Sequence, residues 1–204
     1  MAGEFRTPYR GYDVLAKRDT PSWNAQTREV IEARLTRVPA RRFLAPEAWR
    51  TLEAVCARIV PQPDRPERPV PIAPWIDQQL EEGTGEGFRF EDMPPQREAW
   101  QRGLAGIDDE ARRRFGAAFS ALVPECQDAV LRAVQCGEVV GAAWEHLPPQ
   151  RFFEVTLLPR IVGTYYAHPD AWSEVGFGGP ASPRGYARLG PDQRDPWEAK
   201  AHAD

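Results

Sequence analysis

Soft metal ligands and imidazoles are scarce in this 204-residue chain, which has three cysteines and three histidines. Cys56, Cys126 and Cys136 are odd in number and form no CxxC, so zinc or iron–sulfur ligation lacks both spacing and ligand count. They read as small apolar core residues, and a Cys126–Cys136 bond comes into question only for an exported chain. No apolar run reaches the roughly 20 residues of a membrane helix. Positive charge is also short: the net charge is −4 and the pI near 5.5, which leaves no electrostatic footprint for nucleic acid. Residues 1–25 are polar and mixed in charge, unlike a secretory leader. Arg41-Arg42-Phe43-Leu44 has the outline of a twin-arginine signal, yet Glu47 and Arg50 stand where an apolar region should follow. It reads as a basic turn before a helix. The expected compartment is therefore the cytoplasm, the periplasm being the alternative if the chain travels with an exported partner or a leader was trimmed.

Catalytic groups are equally thin. No serine sits in a GxSxG elbow, and the carboxylates are scattered over polar faces. Of the histidines, His202 is in the terminal tail, and His146 stands beside Glu145 just before Pro148-Pro149. His168 follows Tyr165-Tyr166, where a helix C-terminus would favour it through the dipole and the last carbonyls. Gly176-Phe177-Gly178-Gly179 lacks the preceding strand, the following helix and the third glycine of a phosphate-binding loop. No catalytic, cofactor-binding or metal-binding residue is assigned. Two rivals to a pure binding role remain: a cofactorless enzyme or a ligand-binding helical protein, each working through His168 or His146.

Proline is abundant instead, at 21 residues, about twice the average usage of roughly 5%. It argues against central strands and suits Pro-started helices joined by stiff connectors. Apolar residues recur at helical spacing. Ile31, Leu35 and Val38 follow the N-cap candidate Asn24, and Trp49, Leu52, Cys56 and Ile59 follow Pro46. Trp75, Ile76 and Leu80 mark a short helix ending at Gly83. A helix is expected over 95–106, and Asp108 is expected to cap a separate one carrying Phe115, Phe119 and Leu122. Cys126, Val130 and Val134 follow Pro124 and run to Gly137. The most apolar stretch, from Pro148 through Tyr166, is the expected central helix, kinked or split by Pro159.

The predicted fold is all-α: an irregular helical bundle over 26–170, an extended N-terminal arm over 1–25 and an extended C-terminal tail over 171–204. The tail, rich in glycine and proline, is expected to form no core of its own. Both ends nonetheless keep large aromatics, which a solvated tail has little cause to carry. Tyr9, Tyr12 and Trp23 in the arm are therefore candidate partner contacts. So are Tyr166, His168 and Trp172 at the helical end, and Phe177, Pro180, Arg184, Tyr186 and Trp197 in the tail.

Two blocks of residues resemble a known family. Phe43-Leu44-Ala45-Pro46-Glu47, the helix through Leu52-Glu53-Ala54-Val55-Cys56, Ile59-Val60-Pro61 and Trp75-Ile76-Asp77 look like the opening of the gluconate 2-dehydrogenase subunit 3 family. Phe152-Phe153, Thr164-Tyr165-Tyr166-Ala167-His168-Pro169, Trp172, Gly176-Phe177, Gly179-Pro180 and Arg184-Gly185-Tyr186 resemble its closing motif. The resemblance spans about 43–190. It implies a small non-catalytic subunit that binds, stabilises and helps mature a large sugar or polyol dehydrogenase of the glucose–methanol–choline oxidoreductase type. FAD and the catalytic histidine are then expected in that partner, with no cofactor in this chain, and a cytochrome c subunit is a further expected member of the complex. Family members usually carry a twin-arginine signal, which residues 1–25 do not resemble.

Overall fold

The structure, a computed structural model, describes residues 7–84, 90–180 and 198–201. Among the described residues eight α-helices succeed one another: α1 (Ala25–Thr36), α2 (Pro46–Ile59), α3 (Ile72–Glu82), α4 (Gln96–Phe115), α5 (Pro124–Cys136), α6 (Pro149–Arg151), α7 (Leu158–Tyr166) and α8 (Pro169–Trp172). Among the described residues there is no strand. The all-α expectation holds. Packing divides the chain into two units. One runs from Pro39 to Tyr165; the other joins Met1–Val38 to Tyr166–Asp204.

In the Pro39–Tyr165 unit, proline sets where helices begin. Pro46, Pro124 and Pro149 sit at first-turn positions, where the missing N–H has no intrahelical partner to lose. The start of α2 is fixed by Asp77 on α3. Its fully buried carboxylate accepts the backbone N–H groups of Arg42 (2.6 Å), Phe43 (3.1 Å) and Leu44 (2.7 Å). The connector between α2 and α3 is closed by Gln62, whose amide accepts from the Val70 N–H at 2.7 Å and donates to the Val70 carbonyl at 3.2 Å. Arg58 on α2 and Asp128 on α5 form a bidentate pair at 2.8 and 2.7 Å.

Helix α4 departs from expectation. It runs unbroken through Asp108, so no separate helix starts there. Ile107, Glu110 and Ala111 continue the buried stripe of Trp100 and Leu104, and that burial overrides the local capping signal. Asp108 caps at a distance instead: its carboxylate accepts the Phe119 N–H at 2.8 Å and holds Arg112 at 3.0 Å. The core of the unit is aromatic. Phe152 meets Trp100 edge-on and Trp144 at a tilt, both with ring centroids 6.1 Å apart. The rings reach α4 because it carries glycine where they touch. A Cβ on Gly103 would lie 2.2 Å from the Phe152 ring, and one on Gly106 would lie 2.5 Å from Trp144.

Pro159 splits the long apolar helix as expected, and the form of the split is a π-helix over Phe152–Leu157. The Leu158 N–H reaches back five residues to the Phe153 carbonyl. This wider turn makes room for a proline ring that an α-helical path would drive into the carbonyl four residues earlier. The cysteines are all free, and only Cys56 is buried in the core; Cys126 is half-buried and Cys136 exposed. Burial pushes the Cys56 thiol far up from its ordinary value. Cys126 and Cys136 share α5 ten residues apart, about 15 Å along the axis, which excludes a bond between them.

In the other unit, α1 starts where expected, with the Asn24 side chain accepting the Thr27 N–H at 2.8 Å. Its predicted stripe shortens: Ile31 is buried and Leu35 half-buried, but Val38 lies beyond the helix end and is exposed. Trp172, where the tail begins, shares a core with the arm and α1. Val14, Trp23, Ile31 and Trp172 form one buried cluster, with Tyr12, Leu15 and Leu35 packed against it. Neither chain end has enough apolar surface alone; together they do.

Two glycines give opposite predictions. Gly103→Ala forces the Phe152 ring out of its seat and should destabilise by about 1–3 kcal/mol despite better helix propensity. Gly163→Ala in α7 meets nothing within 4 Å and should stabilise by about 0.5–1 kcal/mol. Urea unfolding of both variants checks the signs.

A pH prediction follows from two carboxylates. Arg58 holds Asp128 below the usual carboxylate range, and Arg113, with Arg114, does the same for Glu110. Lowered folded values mean that each contributes stability fully present above the unfolded value and lost as pH falls through the folded one. Unfolding free energy should therefore be level above about pH 5 and decline below about pH 4. Asp128→Asn should be less stable than the parent at pH 7 and approach it in acid.

Candidate partner-binding surface

The closing stretch, from Tyr166 to Pro180, is shaped by backbone hydrogen bonds to side chains. His168 is 5% exposed and caps α8: its Nδ1 accepts the Asp170 N–H at 3.3 Å. With Nδ1 as acceptor, the proton is on Nε2, which donates to the Arg34 carbonyl at 3.0 Å. Arg34 answers through its guanidinium, which donates to the Ala167 carbonyl at 2.9 Å. The expected contact of His168 with last-turn carbonyls is real, but the helix is α1 rather than the one preceding it. Both ring nitrogens are engaged with backbone. His146 is differently placed. It is exposed, in the left-handed region at φ 56°, on an open groove of about 520 Å³ that Glu91, Met93, Arg102, Trp144 and Pro148 also line. Arg102 fixes the backbone there, donating to the carbonyls of Ala142, Ala143 and Glu145.

Trp172 is 7% exposed and sits in the unit's own cluster, with its indole N–H donating to the Tyr166 carbonyl at 3.0 Å. Phe177 stands edge-on to it at 5.3 Å and stays 38% exposed, as does Tyr166. Trp23 is buried beneath the same turn. Tyr9 and Tyr12 are half-buried. Burial raises the Tyr12 phenol above its ordinary value, and the carboxylates of Asp13 and Glu198 push it the same way. Pro180 is half-buried, while Arg184, Tyr186 and Trp197 lie outside the described residues.

The structure thus sorts the candidate contacts. Trp23, Trp172 and His168 hold the unit together, whereas Tyr166 and Phe177 present aromatic surface outward. Phe177 itself sits in a turn with two glycines at positive φ, Gly176 (65°) and Gly179 (71°). A Cβ at Gly176 would fall 2.6 Å from the Tyr9 ring, and one at Gly179 would fall 2.8 Å from Val14.

Sequence reasoning missed Lys17, Thr7 and Ser173. Lys17 is one of only two lysines in the chain and is 9% exposed, with Nζ 2.9 Å from the Gly178 carbonyl and 5.9 Å from the Tyr12 ring centroid. The rarity of lysine among so many arginines was the one available signal. Among the described residues no group of His, Cys, Asp and Glu could hold a metal, and no helix is long and apolar enough to cross a membrane. What this stretch offers chemically is aromatic contact area: Phe177 is exposed on a turn of fixed shape, and Tyr166 is exposed at the end of α7.

Against known families, the model of gluconate 2-dehydrogenase subunit 3 matches residues 46–179. No curated protein and no solved structure matches the chain. The match ends within the glycine turn and leaves the arm and α1 outside it.

Gly179→Ala should cost about 2–4 kcal/mol, combining left-handed backbone with overpacking against Val14 and Trp23. Gly178→Ala, with only the Lys17 amine at 3.7 Å, should cost under about 1 kcal/mol. Chemical unfolding followed by tryptophan emission separates the two.

Proposed function

The chain belongs to the gluconate 2-dehydrogenase subunit 3 family, and on that premise we propose that it is an accessory subunit which binds and stabilises a large FAD-dependent dehydrogenase of the glucose–methanol–choline type. The observation that carries the reading is the closing surface, where Tyr166 and Phe177 keep 38% of their area open beside a turn whose shape is already set. A buried interface aromatic contributes about 2–3 kcal/mol, so two of them account for a large share of a specific contact.

The flavin is assigned to the partner. A dinucleotide cradle needs a strand feeding a glycine turn that opens a helix. Here Gly176–Gly179 follows a 3-10 turn, Ser173–Val175, and the described residues contain no strand, so they do not fit FAD. Redox chemistry and sugar or polyol specificity then reside in the large subunit, with a cytochrome c subunit as a further member of the assembly. This chain's part is to fix a surface of the large subunit and assist its maturation.

Co-expression with the flavoprotein of its own gene neighbourhood tests the reading. The tagged full chain should recover that flavoprotein stoichiometrically with its flavin absorbance. The double variant Tyr166→Ala, Phe177→Ala should weaken recovery at least about tenfold, since each lost anchor is worth more than 1.4 kcal/mol. A chain that stays a monodisperse monomer and never retains the flavoprotein refutes the proposal.

A further inference from the structure

The glycine turn at the end of the family match is held by a segment that the match does not include. Three backbone carbonyls along it take side-chain donors from the arm. The Thr7 hydroxyl donates to Glu174 at 2.7 Å, the Tyr12 hydroxyl to Phe177 at 3.2 Å and the Lys17 ammonium to Gly178 at 2.9 Å. In the other direction, the Val14 N–H donates to the Ser173 hydroxyl at 3.1 Å. Apolar contacts follow the same path. The Tyr9 ring covers Gly176, and Val14 and Trp23 lie against Gly179.

A glycine-rich turn loses more conformational entropy on ordering than any other sequence of its length. If a partner had to order it, that cost would come out of the binding free energy. Ordering it beforehand removes the cost, which is what preorganisation means. The buried Lys17 ammonium is the strictest of these contacts. A charge only 9% exposed must keep its acceptors, so it fixes the direction in which the Gly178 carbonyl points. The Phe177 ring stands edge-on to Trp172 and stays partly exposed.

We propose that residues 7–23 are a built-in strap that holds the Gly176–Pro180 turn in the shape that presents Phe177 to the catalytic subunit, with Lys17 as the positioning residue. The inference rests on the accessory-subunit reading above. It adds that the partner surface is composite, made by the family motif and preset by an arm outside it.

The test uses the full chain and Lys17→Met, which keeps the apolar stem and removes the ammonium. Hydrogen exchange by mass spectrometry reads the amides of residues 173–180, and co-expression with the neighbouring flavoprotein reads capture. Lys17→Met should speed exchange across the turn at least about tenfold while amides of α2, α4 and α5 keep their rates. Capture should fall about tenfold in the same variant. Exchange at the parent rate in Lys17→Met overturns the strap. Faster exchange with undiminished capture overturns its role in presentation. If the unmodified chain captures no flavoprotein, the accessory-subunit reading fails and takes the presentation role with it, whereas the first two outcomes leave that reading standing.

Discussion

A single carboxylate sets the frame of the Pro39–Tyr165 unit. Asp77 is fully buried, and a buried charge without partners is among the most costly things a fold can contain. Here it is stabilised by three consecutive backbone N–H groups, those of Arg42, Phe43 and Leu44. Hydrogen bonds to a charged group are worth about 1.5–3 kcal/mol each, so the three offset the desolvation and leave little freedom in the loop. The loop in turn seats Leu44, 4% exposed, and delivers the chain to Pro46 at the first turn of α2. Because α2 packs on α3, α4 and α5, the placement of three helices follows from where that one begins. Both halves of the contact, Phe43-Leu44 and Asp77, fall in the opening block of residues that resembles the family.

The second unit works by the same device with the polarity reversed. There, backbone carbonyls of the closing turn are the fixed acceptors, and side chains of the arm are the donors. Its aromatic residues divide by role. Those that lie under the turn supply the core, and Tyr166 and Phe177 stay partly exposed. A helical protein with few apolar residues at either end thereby builds a small core from two pieces, each too poor to fold by itself.

Much of the helical layout was legible because its signals are local. Pro46 and Pro124 mark helix starts, Gly83 and Gly137 mark ends, and Asn24 caps where its side chain predicts. Asp108 misled because a short acid looks the same at a cap as in a helix interior; only the burial of Ile107 and Ala111 decides, and that is tertiary. Pro159 announced a disruption without saying that it would be a π-helix, since the form depends on how Phe152 packs on Gly103. Among the candidate contacts, the aromatics of the two chain ends stood out because those stretches carry no helical period. That Trp23 and Trp172 would share one cluster was not readable, because nothing in either segment refers to the other. Lys17 left a compositional trace only.

The closing contact of Thr7 with Glu174 spans 167 positions, which has a consequence for biosynthesis. At roughly 5–20 residues per second, the arm emerges from the ribosome on the order of ten seconds before its acceptor has been made. The intervening stretch from Pro39 to Tyr165 finds its contacts within itself and is free to collapse during that interval. Throughout it, Val14 and Trp23 have no Trp172 to cover them. Later-made residues therefore complete earlier-made ones, and the cluster closes only after the whole of the larger unit has been synthesised. A nascent chain stalled before Trp172 has every residue of its larger unit and still lacks the indole that closes the cluster of Val14, Trp23 and Ile31.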